Sequence, residues 1–79
     1  PLRPEIEAYL ARYVHLNRYH EMTVHYDQQT VQLVLLFEAT PDAACYEDCN
    51  AAIAGATWLT KISLIQPIAS FSDNAEDDQ

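Results

Sequence analysis

The sequence predicts an α+β domain of order αββαβ, with two helices on one face of a three-stranded sheet. Three observations predict it. Apolar residues recur at helical spacing before residue 15, and they alternate with period two from Met22 to Phe37. A Thr-Pro-Asp helix start then opens a second apolar-striped segment, which leads into a run of Thr, Ile and Leu ending near Pro67.

Each element has its own cues. Pro4 suits the first turn of a helix, where its missing N–H costs nothing. Ile6, Leu10, Tyr13 and Val14 follow at helical spacing, Glu5 and Glu7 favour the positive N-terminal end, and the helix is expected to end near Asn17. Met22, Val24 and Tyr26 alternate with Thr23, His25 and Asp27, as in a half-buried strand. Asp27-Gln28-Gln29 reads as a hairpin turn, without the glycine that a tight turn prefers. The second strand is expected from Thr30 to Ala39. Val31, Leu33, Leu35 and Phe37 point one way and Val34 and Leu36 the other, so both faces are apolar. Thr40-Pro41-Asp42 supplies a capping hydroxyl, a proline at the first position and an acidic first turn. This second helix is expected to run to Ala54, with Cys45, Cys49, Ala52 and Ile53 inward and Glu47, Asp48 and Asn50 outward, and to stop at Gly55. Trp58 to Ile68 is the third strand. Val34 and Leu36, with Ile65, are then left on the uncovered face and require a partner. Residues 1–69 form the domain, and the acidic tail, 70–79, is expected to be disordered.

Seventy-nine residues make one domain, small enough for metal, disulfide or oligomerisation to be the usual source of added stability. The net charge of -8 argues against nucleic acid and against an anionic membrane surface, and suits cations or a basic partner. The longest run of large apolar residues, Leu33–Phe37, is far short of a membrane span. A chain beginning at Pro1 suggests an excised or processed product, with room for a membrane portion upstream. Cys45 and Cys49, four apart on a helix, are poorly placed for a disulfide and read as reduced thiols in a reducing compartment.

The candidate ligands are few. His15, His20 and His25 recur every five residues, which is neither a helical nor a strand repeat. His20-Glu21 stands at the entrance to the first strand, and His25 and Asp27 share a strand face. Imidazole with carboxylate suits a divalent transition metal, but a structural zinc site takes four ligands, so a site here would draw on a second chain. The plainer alternative is a solvated polar strand face. Cys45 and Cys49 would chelate a soft metal from one helix face, a reading that His20 or Asp48 close by would strengthen; more often, free cysteines at such positions fill the core. Tyr9, Tyr13 and Tyr19 read as packing, not as a cofactor box. With one glycine, no phosphate-cradling loop and no nucleophile–base motif, the chain is not expected to be an enzyme.

The run Ile6-Glu7-Ala8-Tyr9-Leu10 through His20-Glu21-Met22, the strand–turn–strand that follows and the Pro-Asp helix start resemble the C-terminal domain of cation diffusion facilitator transporters, over residues 4 to 68. The family's His-Asp-Leu triplet stands here as His20-Glu21-Met22. The resemblance implies a ferredoxin-like, metallochaperone-like fold, on the cytoplasmic side of an inner or plasma membrane, following six transmembrane helices of the same transporter. It implies a V-shaped homodimer whose bound metal favours transport: zinc first, with copper, manganese and iron also compatible. His20 is carried over as a metal ligand, Asp48 lies near the place of a helix-two histidine, and His25 and Asp27 match only by neighbourhood. The chain departs from the family pattern in having Val14-His15 where Pro-Gly is common, and Leu64-Ile65-Gln66 where a late histidine is common. The ligand set is therefore short of the family's. A protein-interaction module without metal, or a small-molecule-sensing module of the same fold, are the alternatives.

Overall fold

A computed structural model describes residues 3–67. The elements run α1 (Arg3–Leu10), a 3₁₀ helix (Val14–Arg18), β1 (Glu21–Asp27), β2 (Thr30–Leu36), α2 (Ala43–Ala54) and β3 (Leu59–Ile65). The sheet order is β1-β2-β3, with β1 antiparallel and β3 parallel to β2. This is the expected α+β class, in keeping with a small ferredoxin-like fold. The third strand, Leu59–Ile65, is shorter than the expected Trp58 to Ile68, because the chain leaves the sheet at Gln66 before Pro67; Ile68 itself and the acidic tail lie outside the described residues.

One face of the sheet carries the core. Met22 of β1, Val31, Leu33 and Leu35 of β2 and Leu59 of β3 are buried against Ile6, Leu10, Leu16, Cys45, Cys49 and Ala52 from the helical layer. The other face follows from the register. Glu21, Leu36 and Ile65 form one row across the sheet, Thr23, Val34 and Ser63 the next, and His25, Gln32 and Lys61 the third. Val34 and Leu36 are half-buried there and Ile65 is 46% exposed, as the two-sided pattern of β2 predicts.

The first helix is shorter than its spacing suggests. α1 stops at Leu10, Tyr13 takes an extended conformation, and the chain re-enters as the 3₁₀ helix. Leu10 and Leu16 are both fully buried. In a continuous helix residues six apart are about 120° off the same face; the break returns Leu16 to the core. Val14, counted with the apolar face in the sequence, is left 69% exposed.

The second helix starts two residues later than the Thr40 cap implies. Asp42 is the N-cap: its Oδ1 accepts a hydrogen bond from the Cys45 N–H at 2.9 Å. Thr40 instead points its hydroxyl at Gln66 Oε1, 3.3 Å away. The helix does end at Gly55, as expected, but not through a left-handed cap. Gly55 has φ -89° and lies in the right-handed region. What it supplies is space: a Cβ there would stand 2.5 Å from the Tyr9 hydroxyl. That hydroxyl donates to the Ala52 carbonyl at 2.8 Å and ties α1 to the last turn of α2. Tyr9 also packs on Tyr13 and Trp58, with ring centroids 5.8 and 5.5 Å away.

β2 ends at Leu36, not Ala39, although the Phe37 N–H still donates to the Ile65 carbonyl at 2.8 Å. The hairpin is held by the Thr30 hydroxyl on the Asp27 carbonyl, and Gln28 has φ 56°. A side chain in that region costs about 1–2 kcal/mol.

Two measurements check this account. Ala at position 55 would adopt the native backbone and limit the unfolded chain, a gain of about 0.4–1 kcal/mol, but it displaces the Tyr9 hydroxyl from its bond, a loss of about 1 kcal/mol. Gly55→Ala is therefore expected to be about 1 kcal/mol more favourable in a Tyr9→Phe background than in the wild type, read from urea denaturation of the four-member cycle. Gln28→Gly is expected to stabilise by up to about 1 kcal/mol after its own entropic cost, a rise of roughly 4–8 °C in Tm for a domain of this size.

Candidate functional site

The polar chemistry gathers at the end of the sheet where β1 begins and β2 ends. The His20 N–H donates to the Leu36 carbonyl at 2.6 Å, which fixes the residue before β1 beside the last residue of β2. This brings the His20 side chain to Glu38, just past β2, with Nδ1 3.3 Å from Oε2. A second pair lies beside it. His15, on the 3₁₀ helix, has Nδ1 3.8 Å from Asp42 Oδ1, a charge contact too long for a hydrogen bond. Asp42 is held in place by its capping role on α2. These four residues, with Arg18 and Cys45 among the others, line an open cavity of about 380 Å³.

The residues nominated by the sequence are not assembled into one site. His20 and Cys45 line the cavity. Glu21 opens β1 on the open sheet face, in the row of Leu36 and Ile65. His25 and Asp27 share that face further along β1, opposite Gln32 and Thr30. At a strand rise of about 3.3 Å per residue, His25 is roughly 17 Å from His20 along the chain direction. Cys45 and Cys49 face the core from α2, and Asp48 is half-buried beside them. Among the described residues, no three His, Cys, Asp or Glu side chains converge so as to hold a metal ion. The physical reason is placement: the candidates sit on two faces of the sheet and on the inner side of a helix.

Glu38 and Asp42 are the site residues the sequence reading did not nominate, and His15 entered it only as one of three evenly spaced histidines. Asp42 was visible as part of a helix start, and its capping role is the signal. Glu38 becomes a neighbour of His20 only through the hairpin register, Glu21 opposite Leu36.

The donors differ in fitness for metal. His20 and Glu38 offer an imidazole nitrogen and a carboxylate oxygen, both exposed, which suit a borderline divalent ion but make half of a four-ligand set. The thiols do not fit as they stand. Burial pushes Cys45 above its ordinary value and Cys49 to about 12, so both are held as neutral S–H groups. A metal would first have to displace protons the fold retains.

Compared with protein-family models, with curated proteins and with solved structures, the chain matches none. Among the described residues, no helix is long and apolar enough to cross a membrane.

The thiols give a direct test. Both are expected to react with a thiol reagent at pH 8 far more slowly than an unfolded control, and to reach the control rate in denaturant. The sign of the pH dependence follows. The folded state holds these protons more tightly than the unfolded chain, so their contribution to stability is complete below about pH 9. It is lost as pH rises towards about 12, the folded value of Cys49. Cys49→Ala is expected to flatten the fall in stability measured by denaturant titration above pH 9.

Proposed function

We propose that this domain is the cytoplasmic regulatory domain of a divalent metal transporter, acting as a homodimer that metal draws together. One observation carries the reading. The apolar residues of the open face, Val34, Leu36 and Ile65, lie at the same end of the sheet as the His20–Glu38 pair and Glu21. A second copy docked on that patch would cover it and bring two incomplete donor sets together. The net charge of -8 opposes such docking, and a divalent cation between the protomers would relieve the repulsion. Metal then acts by binding the closed dimer better than the open one; a tenfold preference is worth about 1.4 kcal/mol, a bias and not a lock. Zinc is the first candidate for this donor set, with copper, manganese and iron behind it. The transmembrane part of the transporter is the upstream partner in this reading, and nucleic acid is not a partner. Neither catalysis nor a resident cofactor other than metal enters it.

A second reading rests on a different observation, the absence of a three-donor group among the described residues. The same face would then bind a protein partner with no metal involved.

Sedimentation equilibrium with Zn²⁺ and with chelator separates the two. The dimer reading expects Zn²⁺ to tighten self-association at least tenfold. Leu36→Glu, half-buried on the open face, is expected to abolish association while leaving the fold intact. His20→Ala with Glu38→Ala is expected to remove the zinc effect and keep the basal association. Self-association indifferent to every metal would favour the protein-binding reading, and a monomer at all concentrations with no metal-induced change in Tm would sink the proposal.

A further inference from the structure

The hairpin end of the sheet, remote from His15 and His20, carries a second cavity of about 300 Å³. Ile6 and Val31, both buried, form its floor. Tyr26 and Trp58 form its walls, and Glu5 stands at its rim.

Tyr26 is the informative residue. By alternation it belongs with Met22 and Val24 on the core side of β1. Yet 54% of it is exposed, while Met22 is buried. The first turn of α1 borders this ring with Glu5 and Ile6 and does not cover it. An aromatic ring is thus set on the core face with open space beside it and an indole nearby. The charge at the rim is negative. Arg3, the nearest cation in sequence, is taken by Glu7 at 2.8 Å, and among the described residues Glu5 makes no ion pair.

Aromatic faces attract cations through their ring quadrupole, and the attraction grows as water is excluded. A carboxylate at the rim adds a directed charge, and the net charge of -8 draws cations to the molecule and repels anions. The volume is at the lower limit for a small-molecule pocket. From these features we infer that the groove binds a small organic cation, a protonated amine or quaternary ammonium on an apolar body. The body lies between Tyr26 and Trp58, and the cationic head is directed to Glu5. The groove opens on the helical side of the sheet, so it is separate from the open face proposed to meet a second copy, and the two readings stand or fall independently.

Trp58 is the single tryptophan, so its emission reports on the groove directly. The probes are phenethylamine and 3-phenylpropionate, close in shape and opposite in charge. Phenethylamine is expected to change Trp58 emission saturably and to shift the backbone amide resonances of Tyr26, Gln28 to Val31 and Trp58. Phenylpropionate is expected to bind at least tenfold more weakly. Glu5→Gln is expected to weaken phenethylamine about tenfold with Tm unchanged, and Tyr26→Leu to weaken it while the spectrum remains that of the folded protein. No saturable change, equal affinity for the two probes, an unaffected Glu5→Gln variant, or shifts centred on His15 and His20 would each overturn the inference.

Discussion

The sheet of this domain carries apolar residues on both faces and has only one helical layer to cover them. That constraint organises the rest. α1 spans eight residues and α2 twelve, and both lie against the side that carries Leu33, Leu35 and Leu59. The break between α1 and the 3₁₀ helix exists because Leu10 and Leu16 must both reach that side. Within the helical layer, the Tyr9 hydroxyl on the Ala52 carbonyl ties α1 to α2, and its approach needs the bare backbone of Gly55. What the layer cannot reach is left open: the face of Val34 and Leu36, and the ring of Tyr26.

The two ends of the sheet differ in chemistry for the same reason. Where β1 starts and β2 ends, the chain enters and leaves through polar loops, so His20 meets Glu38 and His15 meets Asp42 beside an open cavity. Where β1 turns into β2, the chain has no length to spare for a loop that would cap the core, and aromatic and apolar surface remains. The acidic balance of the whole chain biases both ends towards cations, a metal ion at the first and an organic cation at the second under the proposals made above. Of the two thiols of α2, Cys45 borders the first cavity and Cys49 neither. They are core atoms, and burial keeps them protonated.

The strands were legible in the sequence because period-two alternation is a local property. Met22, Val24 and Tyr26 against Val31, Leu33 and Leu35 determine which faces meet once a two-residue turn sets the register. The second helix was legible in extent, and the inward position of Cys45, Cys49 and Ala52 followed from helical spacing. The uncovered Val34 and Leu36 were also readable, since a strand with apolar residues on both sides needs cover on both. Its boundaries were not all readable. Thr40 and Asp42 are both good capping residues, and only the course of the chain from Phe37 into α2 decides that Asp42 meets the Cys45 amide while Thr40 turns to Gln66.

By itself, then, the sequence determined the αββαβ order, the face each strand buries and the sign of the charge that surrounds them. The tertiary structure decided everything that depends on which distant residues become neighbours. The pairing of His20 with Glu38 comes from the hairpin register, and that of His15 with Asp42 from where the 3₁₀ helix lies on α2. The separation of His25 and Asp27 from His20 comes from strand length, and the role of Gly55 comes from a tyrosine 46 positions earlier in the chain. Local spacing encodes which way a side chain points along its own element. It carries no information on what another element will bring against it, and a binding site consists of such meetings.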